Sequence, residues 1–221
     1  MKAFALGASV CLLLASLASA AVVAINGYDF DLAQFDGAAV SYRVGGSVSF
    51  DGKVWDQVNG VDGYTLGELA AGQYGSDPGD QVSLNDRVTP DWMQLNYAAP
   101  VQVSPSSHLL VIYEISSSTS GVDVEGLSFK IKLNGGALID ASEGVASFYP
   151  TSAENSNQIV FDLYSFGFAN GDALSTVYIE NKNTGSSTSD PDFIFAGVSV
   201  PEPMTLALLA LGGLPLLRRR A

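Results

Sequence analysis

Between Leu127 and Leu133 the side chains alternate. Leu127, Phe129, Ile131 and Leu133 fall on one side, Ser128, Lys130 and Lys132 on the other. That period of two belongs to a strand with one wet face, whereas a helix repeats a face about every 3.6 residues. Asn134-Gly135-Gly136 follows, and because these residues tolerate positive φ the chain is expected to turn there and return through Ala137-Leu138-Ile139. Leu109-Leu110-Val111-Ile112-Tyr113 is a continuous apolar run, the pattern of a strand in the middle of a core. Further strands are expected over Ala39–Val44, Trp92–Tyr97, Gln158–Tyr164, Ser175–Glu180 and Phe193–Val198, separated by turn-rich pieces such as Gly75-Ser76-Asp77-Pro78-Gly79 and Asn183-Thr184-Gly185-Ser186-Ser187. Asp51–Gly63 reads as a Gly-rich loop or hairpin. Outside the chain ends there is one short helical turn, around Leu66–Ala71 before Gly72. Many short strands and almost no helix predict an all-β fold, an antiparallel β-sandwich or jelly roll.

The two ends differ from this body. Lys2, the apolar stretch Ala3 to Leu17 and the small residues Ala18-Ser19-Ala20 form the pattern of a secretory signal helix over residues 1–20, cut by signal peptidase before Ala21. At the other end, residues 199–221 hold Pro201-Glu202-Pro203, an uncharged stretch from Met204 to Leu217, and Arg218-Arg219-Arg220. As a helix that stretch is about 21 Å long, against a hydrocarbon core of about 30 Å. It also carries Gly212, Gly213 and Pro215. A short, interrupted apolar helix stopped by arginines suits a transient anchor, with the arginines cytoplasmic and the body outside. The body between, residues 21–198, is expected to be one domain.

Charge narrows the partners. The chain has 10 basic and 23 acidic residues; without Lys2, Glu202 and the three terminal arginines, six basic and 22 acidic residues remain, a formal charge of −16. Such a surface repels phosphate backbones, so nucleic acid is not an expected partner. The sole cysteine, Cys11, lies in the signal segment, so no disulfide is expected in the body. Stability must come from core burial, and a domain of about 180 residues buries roughly 70% of its unfolded surface.

Catalytic motifs are sparse. His108 is the only histidine, which excludes a histidine-rich zinc or iron site. The body has no nucleophile elbow, phosphate-cradling loop or dinucleotide fingerprint. A pair of glycosidase carboxylates stays open in a body this acidic, but a non-enzymatic protein is expected, with no cofactor unless calcium is bound. Calcium candidates are Asp77 with Asp80, and Asp190 with Asp192, because hard cations take several oxygen ligands from acidic turns. A turn cap is the competing role for Asp190 and Asp192. Asp29 and Asp31 are expected to point outward while Tyr28 and Phe30 pack. Aromatic rings stack on sugar faces, so Trp55 and Trp92 are candidate sugar contacts, although a core role competes for each. Trp92 leads the set Trp92, Gln94, Asn96, opposite Met93, Leu95 and Tyr97, which places a ring on the polar side of its strand.

The C-terminal residues Val200-Pro201-Glu202-Pro203, Met204-Thr205-Leu206-Ala207-Leu208-Leu209 and the three arginines resemble the PEP-CTERM family of bacterial surface proteins. The same tail is also catalogued as an "ice-binding protein C-terminal domain". The resemblance implies sorting by an exosortase, a membrane transpeptidase that cleaves near Pro-Glu-Pro, in a Gram-negative host that makes exopolysaccharide. It further implies transient anchoring in the inner membrane, then release to the cell surface or extracellular matrix, with extracellular polysaccharide as a partner. A secreted carbohydrate-binding or adhesion module and a secreted carbohydrate-active hydrolase are the alternatives. Ala38-Ala39-Val40-Ser41-Tyr42, Ser76-Asp77-Pro78 with Val82-Ser83-Leu84, Leu110–Glu114, Tyr178-Ile179-Glu180 and Asp190-Pro191-Asp192-Phe193-Ile194 resemble bodies found with this tail. Those bodies imply a galactose-binding-like jelly roll. Arg43-Val44-Gly45-Gly46 departs from the Gly-Ser-Pro-Gly that their pattern would place there.

Overall fold

The computed structural model describes residues 21–35, 38–42, 46–49, 56–58, 61–73, 82–84, 91–116, 127–150, 155–182 and 192–201. Both expected terminal helices lie outside these residues. In chain order the strands are β1 (Val22–Ile25), β2 (Tyr28–Asp31), β3 (Ala39–Tyr42), β4 (Gly46–Ser49), β5 (Asp56–Val58), β6 (Val61–Asp62) and β7 (Val82–Ser83). They continue as β8 (Trp92–Gln102), β9 (His108–Ser116), β10 (Phe129–Leu133), β11 (Leu138–Asp140), β12 (Val145–Pro150), β13 (Asn155–Asp162), β14 (Ala173–Asn181) and β15 (Asp192–Val198). One short helix, α1 (Leu66–Ala70), stands between β6 and β7. Thr65 caps it: its hydroxyl accepts from Glu68 N while Glu68 Oε2 accepts from Thr65 N at 2.8 Å. Gly72, at φ +65°, ends the turn that follows.

The main body is an antiparallel β-sandwich. Six strands form one sheet in the order β11-β10-β14-β8-β3-β4, and five form the other in the order β12-β13-β9-β15-β7. The pairings are nested: β7 with β15, β8 with β14, β9 with β13, and β10 with β11. A chain paired as one long hairpin and then rolled so that successive pairs alternate between sheets gives this order, which is the jelly-roll topology. β12 extends one sheet beyond β13, and β3 with β4 extends the other beyond β8.

Apolar alternation sets which face is inside. Met93, Leu95 and Tyr97 on β8, Phe129, Ile131 and Leu133 on β10, and Val177 and Ile179 on β14 are buried, while the residues between them are half-buried. Phe129 closes the sandwich. Its ring meets Tyr113 of β9 at 5.6 Å and Phe193 of β15 at 5.0 Å, both edge-on.

A third layer covers the outside of the five-stranded sheet. β1 and β2 form a hairpin on an Asn26-Gly27 turn, with φ of 51° and 84°. Tyr28 of this hairpin meets His108 at 5.7 Å, Phe30 meets Phe195 at 5.1 Å, and Asn26 Nδ2 donates to Gln158 Oε1 at 2.8 Å. Leu110 and Ile112 are therefore 0% exposed although they point away from Val111 and Tyr113. This is why Leu109–Tyr113 reads as unbroken apolar sequence: both faces of β9 are dry. Phe30 packs as expected. Asp31, half-buried, accepts through its carboxylate from Ala33 N at 2.9 Å and caps the 3-10 turn Leu32–Gln34.

Strand ends differ from expectation where a side chain intervenes. Gln158–Tyr164 is expected as strand, yet β13 stops at Asp162, whose carboxylate accepts from Tyr164 N at 3.0 Å and starts a 3-10 turn over Leu163–Phe166. Gly167, at φ +89°, ends it. The segment Asp51–Gly63 contains the β5–β6 hairpin.

Candidate functional site

Among the described residues, the outer face of the six-stranded sheet has no covering layer comparable to the β1–β2 hairpin. Antiparallel register sets what meets there. Lys132, Tyr178, Gln94 and Ser41 lie in one row across β10, β14, β8 and β3; Asp140, Lys130, Glu180 and Trp92 lie in a second row across β11, β10, β14 and β8. Neighbouring strands are about 4.8 Å apart, so each row spans about 14 Å.

The rings of Trp92 and Tyr178 stack diagonally across two strands, with centroids 5.5 Å apart and planes 30° from parallel. Lys132 Nζ lies 5.0 Å from the centre of the Tyr178 ring. The Tyr178 hydroxyl donates to Glu180 Oε2 at 2.9 Å, and Gln94 Nε2 donates to Asn96 Oδ1 at 2.7 Å. Burial, then the hydrogen bond to Glu180 and its negative charge, push the Tyr178 phenol up, so it is a neutral donor across the physiological range. At the β11 end, Lys182 Nζ meets Asp140 Oδ2 at 2.6 Å. Burial raises the Asp140 carboxyl, but hydrogen bonds from Lys182 and Ser142 and the lysine charge outweigh it, leaving the group below its ordinary value.

A turn braces this face. Asn134 follows β10 at φ 49°, and both ends of its amide are used: Nδ2 donates to Ala173 O at 2.7 Å, and Oδ1 accepts from Ser175 N at 2.8 Å and Thr176 N at 3.2 Å. The β14–β8 register jumps at the same place, from Leu174–Val101 to Thr176–Asn96. Four residues of β8, Tyr97 to Pro100, there stand against Ser175 alone. Pro100 has no N–H to give to the ladder, and a bulged stretch is where a strand tolerates it.

Of the residues singled out from sequence, Trp92 lies in this platform, half-buried at the start of β8, with Gln94 and Asn96 beside it and Met93, Leu95 and Tyr97 inside. Asp192 is the first residue of β15, half-buried and in register with Ser83. Pro201 is half-buried just past β15. Trp55, Asp77, Asp80, Asp190, Glu202, Pro203, Arg218, Arg219, Arg220, Ala18 and Ala20 lie outside the described residues. His108 opens β9, its N–H donating to Ser199 Oγ at 2.9 Å and its ring against Tyr28. No three His, Cys, Asp or Glu side chains among the described residues converge as metal ligands.

Tyr178, Lys132 and Glu180 are the functional candidates that sequence reasoning passes over. Their strands are legible, and Lys130 and Lys132 are assigned to a wet face. What is missing from the sequence is adjacency: 86 positions separate Trp92 from Tyr178, and only the β8–β14 pairing joins them. No family model, curated protein or solved structure matches the chain.

Proposed function

We propose that this chain is an exported, non-enzymatic protein, sorted by an exosortase-type system to the cell surface or exopolysaccharide matrix, whose β-sandwich binds polysaccharide there. The observation that carries the binding reading is the polar sheet face with its stacked Trp92–Tyr178 pair. The two rings cover each other's facing sides and Lys132 lies over Tyr178, so a sugar would stack on the Trp92 face turned away from Tyr178, with Glu180, Gln94 and Asn96 offering hydrogen bonds to its hydroxyls. A jelly roll holds such a platform rigidly, because its other side is the packed core.

The export reading rests on the two chain ends, and the backbone is consistent with it. Ala21 O accepts from Leu32 N at 2.9 Å, and Val200 N donates to Asp29 O at 2.7 Å. Ala21, next to the expected signal-peptidase site, and Val200, the residue before Pro-Glu-Pro, are thus both paired through their backbone. Binding is tested by affinity electrophoresis of the purified protein through gels containing a panel of neutral and acidic polysaccharides. Retardation by at least one polymer, lost in Trp92→Ala with an unchanged melting temperature, is the expected result. Migration unaffected by every polymer would remove the binding reading, and release of reducing sugar from the gel polymer would assign an enzyme instead.

A further inference from the structure

The N-terminal hairpin also holds the far end of the body. In a two-residue hairpin the closing pair, Ile25 with Tyr28, exchanges hydrogen bonds, and the next pair, Ala24 with Asp29, points its backbone groups away from the partner strand. Val200 N meets Asp29 O there at 2.7 Å, on the edge of β2 away from β1. Gln34, buried just past β2, donates to Val198 O at 3.1 Å and accepts from Val198 N at 3.0 Å. Ser199 N donates to His108 O at 2.8 Å, and Ser199 Oγ accepts from His108 N at 2.9 Å. The chain is thus gripped residue by residue up to Val200, whose side chain packs against the core. Only Pro201, Glu202 and Pro203 then precede the uncharged stretch that starts at Met204.

From this grip we infer that, while the tail is anchored, the corner of the body around Asp29 and Val200 is seated on the lipid headgroups of the membrane. The inference rests on the anchoring reading of the tail and adds which surface faces the bilayer. From Val200 to Met204 the chain reaches at most about 14 Å. Headgroups take up about 5–8 Å outside the hydrocarbon core. The gap that remains, under about 10 Å, is no more than the spacing of two packed sheets. The hairpin lies outside the five-stranded sheet, so the six-stranded sheet stands about 20 Å behind it, and the tether is too short to turn that sheet to the membrane. Ala21, whose carbonyl accepts from Leu32 N, brings the export segment to the same hairpin. Asp29 and Asp31 alternate with the packed Tyr28 and Phe30, so this corner carries carboxylates and suits a zwitterionic lipid surface rather than an anionic one.

The test uses the exported chain, residues 21–221 with the tail intact, in phosphatidylcholine vesicles containing a lipid with a nitroxide on its headgroup. Since the body has no cysteine, a fluorophore can be placed at one site, Ala24→Cys on the hairpin or Leu138→Cys on β11, both exposed. The hairpin label should be quenched about threefold more than the β11 label, because the layers set their heights above the lipid. A Gly/Ser spacer of about 20 residues between Val200 and Pro201 adds a reach of roughly 25 Å and should abolish that difference. Equal quenching at both sites in vesicle-bound protein would overturn the seating while leaving the anchor intact. A difference that survives the spacer would overturn the short tether as its cause, and with it this inference. Protein that does not float with the vesicles would overturn both the seating and the anchoring reading.

Discussion

Tyr97 shows how a single atom can be misplaced in an otherwise matched core. It belongs to the inward set of β8 and packs edge-on against Phe35 at 6.3 Å, yet its hydroxyl is buried without a hydrogen-bond partner among the described residues. Burial alone pushes its phenol up. An unsatisfied buried hydroxyl costs about 1–3 kcal/mol, and removing it without changing shape is neutral or stabilising. Tyr97→Phe is therefore expected to be as stable as the parent or up to about 1 kcal/mol more stable, read as a rise in urea midpoint at constant slope. A loss of more than about 1 kcal/mol would show that the hydroxyl has a partner. Trp92 is the opposite case. The period-two pattern puts it on the polar side, and the structure agrees; its stacking partner is a residue that no local pattern identifies.

At the level of elements, strands bounded by glycine and asparagine were legible and those bounded by contacts were not. The turn at Asn134-Gly135 is readable because both residues adopt positive φ, but the use of the Asn134 side chain to hold the irregular stretch of β14 is not. Asn134→Ala should cost roughly 2 kcal/mol, combining left-handed backbone strain with three lost hydrogen bonds. Asn134→Gly keeps the backbone freedom and should recover about half of that. Equal loss in both variants would assign the whole effect to the side-chain bonds. β12 went unread because Val145 is 73% exposed and the strand lies at a sheet edge, where burial imposes little alternation. The β1–β2 hairpin is legible only as the alternation of Tyr28 and Phe30 with Asp29 and Asp31, since its apolar residues serve a third layer whose existence depends on the sheet beneath.

For the whole molecule, the acidic turns make cation dependence the property to test. Calcium held at Asp77 with Asp80, or at Asp190 with Asp192, would stabilise the native state by about 3 kcal/mol at a hundred times its dissociation constant. Chelation with EDTA should then lower the melting temperature by about 5–10 °C in a domain of this size. An unchanged melting temperature removes calcium from the account. The lack of body cysteines makes this a clean measurement, with no disulfide to confound the transition. At this scale the asymmetry of the sandwich matters most: among the described residues, one sheet is roofed by the N-terminal hairpin and the other has no such layer.

By itself the sequence determined the fold class, the inward and outward sides of β8 and β10, and the buried run of β9. These follow from local alternation, and a one-residue slip would turn every apolar side chain outward. It also placed Trp92 on a wet face. Only the tertiary structure decided that Tyr178, Lys132 and Glu180 stand beside that ring, because strand order and register depend on nested pairings between distant segments. The same long-range pairing decided which sheet the N-terminal hairpin covers.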